Sequence, residues 1–136
     1  MEPITGACGC GTIRFEVTEP FVSASYCHCT RCQRRTGTAA SANARARRGS
    51  VRVLEGEEEL RVWAPEGGFE KLFCGRCGSA LFSRPGGAEE IVGVRLGSLD
   101  GDPGVRPEWH QYVAYAAAWE EIADDGLPRY DASRPS

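Results

Sequence analysis

"FCGRCGSALF", residues 73–82, sets Cys74 and Cys77 three positions apart between apolar flanks. This is the pattern of a zinc knuckle. The spacing lets both sulfurs face one ion, and Gly75 and Gly78 permit the tight backbone that turns amide N–H groups toward thiolates. A knuckle supplies two ligands, whereas zinc prefers four in a tetrahedron. The fold is therefore decided by where the chain finds the other two.

Working outward, the chain holds five more cysteines. "CGCG", residues 8–11, is a shorter version of the same device and offers Cys8 and Cys10. "YCHCTRCQRRTG", residues 26–37, offers Cys27, Cys29 and Cys32. Two plus two closes one structural site, formed by Cys8, Cys10, Cys74 and Cys77. It would tie an N-terminal hairpin to a hairpin far along the chain, and closing so long a loop restricts the unfolded state. The central three then form a second site with an open position, as catalytic zinc sites do. A second partition is open: Cys74 and Cys77 with two of the central three, leaving Cys8 and Cys10 free. A thioredoxin-like reading of Cys74-Gly75-Arg76-Cys77 needs a βαβ setting, which the pattern does not offer.

The chain has 136 residues, a net charge of −3 and a sequence pI near 5.4. That is the size of one ordinary domain, residues 1–136 with a core about 5–128, and a nucleic-acid binder would show a basic excess instead. Of the 16 basic residues, all but Lys71 are arginine. The N-terminus carries no signal-peptide pattern and no run is long enough to span a membrane, so a cytoplasmic location is expected. Thiols stay reduced there, which favours metal ligands over disulfides.

The remaining pattern reads mainly as strand. Ile13, Phe15 and Val17 alternate with polar residues, as do Val51 and Val53, and Leu60 and Val62. "EIVGVRL" and "HQYVAYAAAW" are further strand candidates, the latter running on into a turn. One short helix is expected with Thr30 as its N-cap. The tail "RYDASRPS" reads as frayed.

"GACGCGTIRFEV", "YCHCTRCQRRTG", "LFCGRCGSALF", "VRLGSLD" and "HQYV…AAAW" occur in that order. The sequence resembles the glutathione-dependent formaldehyde-activating enzyme family, also called the centromere protein V/formaldehyde-activating family, from about Thr5 to Pro128. The resemblance implies a small zinc-stapled "β-tent" of antiparallel sheets with one or two short helical turns. It matches Cys8, Cys10, Cys74 and Cys77 to structural zinc ligands, and Cys27, Cys29 and Cys32 to a second, more labile zinc of catalytic type. It also implies a carbon–sulfur lyase that joins glutathione to formaldehyde as S-(hydroxymethyl)glutathione.

Three thiolates leave a bound zinc with a formal charge of −1, better suited to holding a substrate thiol than to polarising a carbonyl. His28 or His110 could instead close that site. Alternation in an extended segment turns His28 away from Cys27 and Cys29, and His110 is a candidate general base or substrate contact. Arg31, Arg34 and Arg35, then Arg45, Arg47 and Arg48, crowd near the triad; arginine forks suit carboxylates, and glutathione has two. Thr36-Gly37-Thr38 could lend amides to an anion, or form a plain turn. Trp63, Trp109 and Trp119 could line a pocket or pack a sheet. The rival readings are a non-catalytic zinc module for protein or nucleic-acid contact, and a thiol redox sensor.

Overall fold

A computed structural model describes residues 1–135. It is mainly β, with two sheets. Three strands, β1 (Ile4–Ala7), β2 (Arg14–Val17) and β5 (Val51–Glu55), form the smaller sheet in the order β1-β2-β5. The larger sheet has seven strands. They are β3 (Ser23–Cys27), β4 (Ser41–Arg45), β6 (Leu60–Trp63), β7 (Glu70–Cys74), β8 (Ala80–Arg84), β9 (Gly93–Arg95) and β10 (His110–Gln111). Their order is β10-β3-β4-β9-β8-β7-β6, and every pairing is antiparallel except β10 with β3.

The alternation of Ile13, Phe15 and Val17 is the reason β2 forms: all three are fully buried. They face a row that crosses the large sheet, in which Ala24, Ala44, Val94, Phe82 and Leu72 are successive register partners. Each of these five is also buried. Phe15 and Phe82 join the two sheets edge to face, with ring centroids 4.8 Å apart. Gly6 is needed here, since a Cβ at that position would meet the Phe15 ring and the Ser98 carbonyl.

The single α-helix, α1 (Thr30–Thr36), follows β3 directly. Its N-cap is Cys29 rather than the expected Thr30: the Cys29 Sγ accepts from the Cys32 amide at 3.2 Å, so a metal-type side chain takes the capping role and Thr30 begins the helix. Gly37, with φ 69°, ends it. Three 3-10 turns add to it, at Glu57–Glu59, Leu96–Ser98 and Val113–Tyr115.

"HQYVAYAAAW" departs from the expected strand. Pairing stops at Gln111 because Tyr112 turns to φ 57°, and a 3-10 turn follows. The tail is not frayed at its start. His110 N donates to Pro128 O, Tyr130 N to His110 O, Val113 N to Tyr130 O and Tyr112 N to Ala132 O, all at 2.9–3.0 Å. No helix among the described residues is long and apolar enough to cross a membrane.

Candidate functional site

The seven thiols fall into two sets. Cys8, Cys10, Cys74 and Cys77 have all their sulfurs within 4.8 Å of one another, and so do Cys27, Cys29 and Cys32. In the first set, Cys8 and Cys10 sulfurs are 3.6 Å apart and Cys10 and Cys74 sulfurs 3.9 Å apart. A disulfide would need about 2.05 Å. Sulfurs around one zinc at about 2.3 Å lie about 3.8 Å from each other. The four-thiol set therefore suits an ion and not a pair of cross-links, and no thiol in the described residues is disulfide-bonded.

Two turns build that set. Between β1 and β2 the chain reverses at Gly11 (φ 77°), where Gly11 N donates to Cys8 O. Between β7 and β8 it reverses at Gly78 (φ 81°), where Gly78 N donates to Cys74 O. Ser79 links the two turns, since its Oγ accepts from Gly9 N at 2.8 Å and lies 3.1 Å from Cys77 Sγ. Ile13 N donates to Cys8 Sγ at 3.2 Å and Arg76 N to Cys74 Sγ at 3.4 Å. Burial pushes the Cys74 thiol up, and the Arg76 amide opposes that in part. Cys77 is lowered to about 5, first by Ser79.

The three-thiol set is differently placed. Cys27 ends β3, Cys29 caps α1 and Cys32 lies in its first turn, so one strand-to-helix joint supplies all three. Cys32 is lowered to about 2 by hydrogen bonding to Cys27 and Cys29, with help from Ser41 and Arg95. Cys27 is pushed up by the same bonds to Cys29 and Cys32 and by burial. All three line a cavity of about 920 Å³ on the face of the large sheet away from the core. The four-thiol set contributes nothing to that wall.

The other residues singled out in the sequence divide. Arg31, Arg45 and Trp109 line the cavity with the three thiols. Arg34 and Arg35 do not line that cavity and sit with Arg31 beside Trp63, whose ring has Arg35 at 5.6 Å and Arg31 at 5.9 Å. Trp119 is 71% exposed and lies outside the cavity. In Thr36-Gly37-Thr38 the hydroxyls bond each other at 2.7 Å and the Thr38 amide donates to Thr36, which is a self-satisfied turn. Neither histidine faces the thiols. His28 Nε2 lies 2.8 Å from His110 Nδ1, and His110 Nε2 lies 2.7 Å from Asp125 Oδ2. Lys71 and Arg95, both on the cavity wall, were not reached from the sequence. The one available signal was that Lys71 is the sole lysine.

The molecule is a mainly antiparallel β protein with two thiol sets, each compact enough to hold one metal ion. The chain belongs to the glutathione-dependent formaldehyde-activating enzyme family, whose model matches residues 3–115. A Halomonas elongata protein provisionally named a glutathione-dependent formaldehyde-activating enzyme is 27% identical over 139 residues, covering 97% of this chain and 88% of that one. A crystal structure of a Rhodobacter sphaeroides protein is similar at 31% identity and TM-score 0.55, over 72% of this chain and 89% of that one.

Proposed function

We propose that the chain is a zinc-dependent carbon–sulfur lyase acting on a glutathione-like thiol and a small aldehyde, or on their adduct, in the cytoplasm. Cys8, Cys10, Cys74 and Cys77 would hold a structural zinc. Cys27, Cys29 and Cys32 would hold a second. The observation that carries this reading is the asymmetry between the sets: three thiols open on the cavity of about 920 Å³, and the other four lie off its wall.

A zinc held by three thiolates would supply a place for the substrate sulfur and lower its pKa. In synthesis the carbon–sulfur bond forms and the thiol proton passes to the carbonyl oxygen; in cleavage both changes reverse. The chain's own residues do the rest. The Cys32 amide fixes the Cys29 sulfur, and Ser41 and Arg95 favour ionised Cys32. Gln33 donates to His28 O and Tyr115 O, both at 2.8 Å, and so braces the joint that carries the thiols. The cavity offers a small substrate a concave site on the sheet face beside the thiols.

Native mass spectrometry of the purified protein with and without glutathione, followed by a formaldehyde assay, tests the reading. Two zinc ions, a glutathione adduct and formation of S-(hydroxymethyl)glutathione are expected. A Cys29→Ser variant that stays folded and keeps full activity would overturn it.

A further inference from the structure

The cavity wall carries five charged residues outside the thiols, and all are basic: Arg31, Arg45, Lys71, Arg95 and Arg134. No aspartate or glutamate lines it. In the whole chain acids outnumber bases, 19 to 16, so this one-sided wall is a local property. Among the described residues, none of the five is within salt-bridge distance of a carboxylate; the ion pairs use Arg14, Arg48, Arg84, Arg106 and His110 instead.

Sheet register explains how these residues meet. Ser23, Arg45, Gly93, Ser83 and Lys71 are successive partners across β3, β4, β9, β8 and β7. This row is one residue from the buried row that packs against the small sheet, so it faces the opposite way. The next row on that face is Ser25, Asn43 and Arg95, and the next is Cys27 and Ser41. Rows on one face are about 6.6 Å apart. The basic groups and the thiols thus share one floor, within the span of a few extended residues. Gly93 has no side chain, and the Ser83 hydroxyl leans into the space a Cβ there would take, so the row carries only a small polar group between Lys71 and Arg45.

Arg95 is oriented without being neutralised. Its Nη1 donates to Asn43 Oδ1, and Asn43 Nδ2 donates to Ser41 Oγ at 2.8 Å. The Arg31 guanidinium lies over Gly68. Three thiolates with one divalent ion carry −1, so they balance one of these cations and leave the others uncompensated. Carboxylates brought in by a ligand are the natural counter-charge.

We propose that Lys71 and Arg95, with Arg31 at their side, form a carboxylate-binding subsite that restricts the cavity to anionic thiols. The proposal rests on the thiol-binding role given above to Cys27, Cys29 and Cys32. It assigns specificity to the sheet floor and not to Arg34 and Arg35, which lie outside the cavity. Arg45 and Arg134 border the same floor, and Arg134 is stacked on Trp109 at 3.7 Å.

The test uses the zinc-loaded full chain and S-methylglutathione, which keeps both carboxylates of glutathione but has no free thiol. Calorimetry should detect its binding, weakening as salt rises. Lys71→Gln and Arg95→Gln should each weaken it about tenfold or more, since each removes a charged hydrogen-bond donor. Arg52→Gln, on the small sheet, should leave it unchanged. In turnover, Lys71→Gln should raise KM for glutathione and leave kcat/KM for uncharged mercaptoethanol unaltered, whereas Arg95→Gln should also slow mercaptoethanol, because Arg95 favours ionised Cys32. Melting temperature and zinc content confirm that the variants fold. Failure of the wild-type protein to bind S-methylglutathione, or equal affinity in both variants, overturns the subsite. Binding that depends on Lys71 and Arg95 without any carbon–sulfur product upholds the subsite and overturns the lyase reading instead.

Discussion

His28 Nε2 lies 2.8 Å from His110 Nδ1, and the pair is buried. Asp125 extends it at 2.7 Å. Tyr26 stacks on His110 with centroids 5.0 Å apart. A polar chain thus runs from the residue between Cys27 and Cys29 to the C-terminal segment, on the side of β3 away from the cavity. It braces the thiol-bearing joint from behind.

Asp125 should report this brace through pH. Its carboxyl is held below the ordinary 3.8, first by the His110 hydrogen bond and then by the Leu127 amide. A depressed carboxyl contributes stability that is fully present above its unfolded pKa and is lost as pH falls through the folded one. Asp125→Asn should therefore speed hydrogen exchange at Tyr112, Val113 and Tyr130 at neutral pH. The difference from the wild-type protein should shrink as pH falls below about 4. A difference that stays constant with pH would mean that the carboxylate charge has no part in holding the segment.

Metal content should be two zinc ions per chain, lost unequally. Cys10 and Cys77 are exposed, but four thiolates would complete the coordination of their ion and three would not, so that ion should resist a chelator that strips the cavity site first. Inductively coupled plasma measurements during timed dialysis would read the order. A single, uniformly tight ion would contradict the assignment.

Cys74→Ser and Cys29→Ser should fail in different ways. Cys74 has no exposed surface and joins the two turns, so its loss should unfold or aggregate the protein. Cys29→Ser should leave a folded protein with one zinc fewer and no activity. The hydroxyl can still cap α1, which keeps the helix start intact. Circular dichroism and melting curves would check the ranking.

Two glycines separate backbone strain from collision. Gly56 and Gly67 both have positive φ, 76° and 71°. A Cβ at Gly56 would strike the Thr12 carbonyl, whereas nothing lies near one at Gly67. Gly67→Ala should cost about 1 kcal/mol from the left-handed conformation alone. Gly56→Ala should cost about 3 kcal/mol or more, because the obstacle is backbone and cannot rotate away. Denaturant midpoints would measure both.

The three cysteine groups were legible in the sequence because their spacing is local, but which group joined Cys74 and Cys77 stayed open there, since that contact spans 64 residues. β2 was legible because Ile13, Phe15 and Val17 bury one face. The cavity floor was not. Ser23, Arg45, Gly93, Ser83 and Lys71 come from five strands, and only register makes them neighbours. Local reading therefore favoured Arg34 and Arg35, close to the triad in sequence but outside the cavity. The tail misled for a related reason. Its composition is that of a loose end, yet backbone bonds to His110, Tyr112 and Val113 fasten it. Tyr112, left-handed without being glycine, gave no warning that β10 would end at Gln111.

The separation of 64 residues between Cys10 and Cys74 has a consequence for synthesis. A ribosome releases the chain from its N-terminus, so Cys8 and Cys10 are in solution several seconds before Cys74 and Cys77 at about 5–20 residues per second. Cys27, Cys29 and Cys32 emerge in that interval. The nascent chain thus meets the wrong sulfurs before the right ones, and an ion captured early would bridge the N-terminal pair to the cavity thiols. An ion held that way would have to exchange partners before Cys74 and Cys77 could join Cys8 and Cys10.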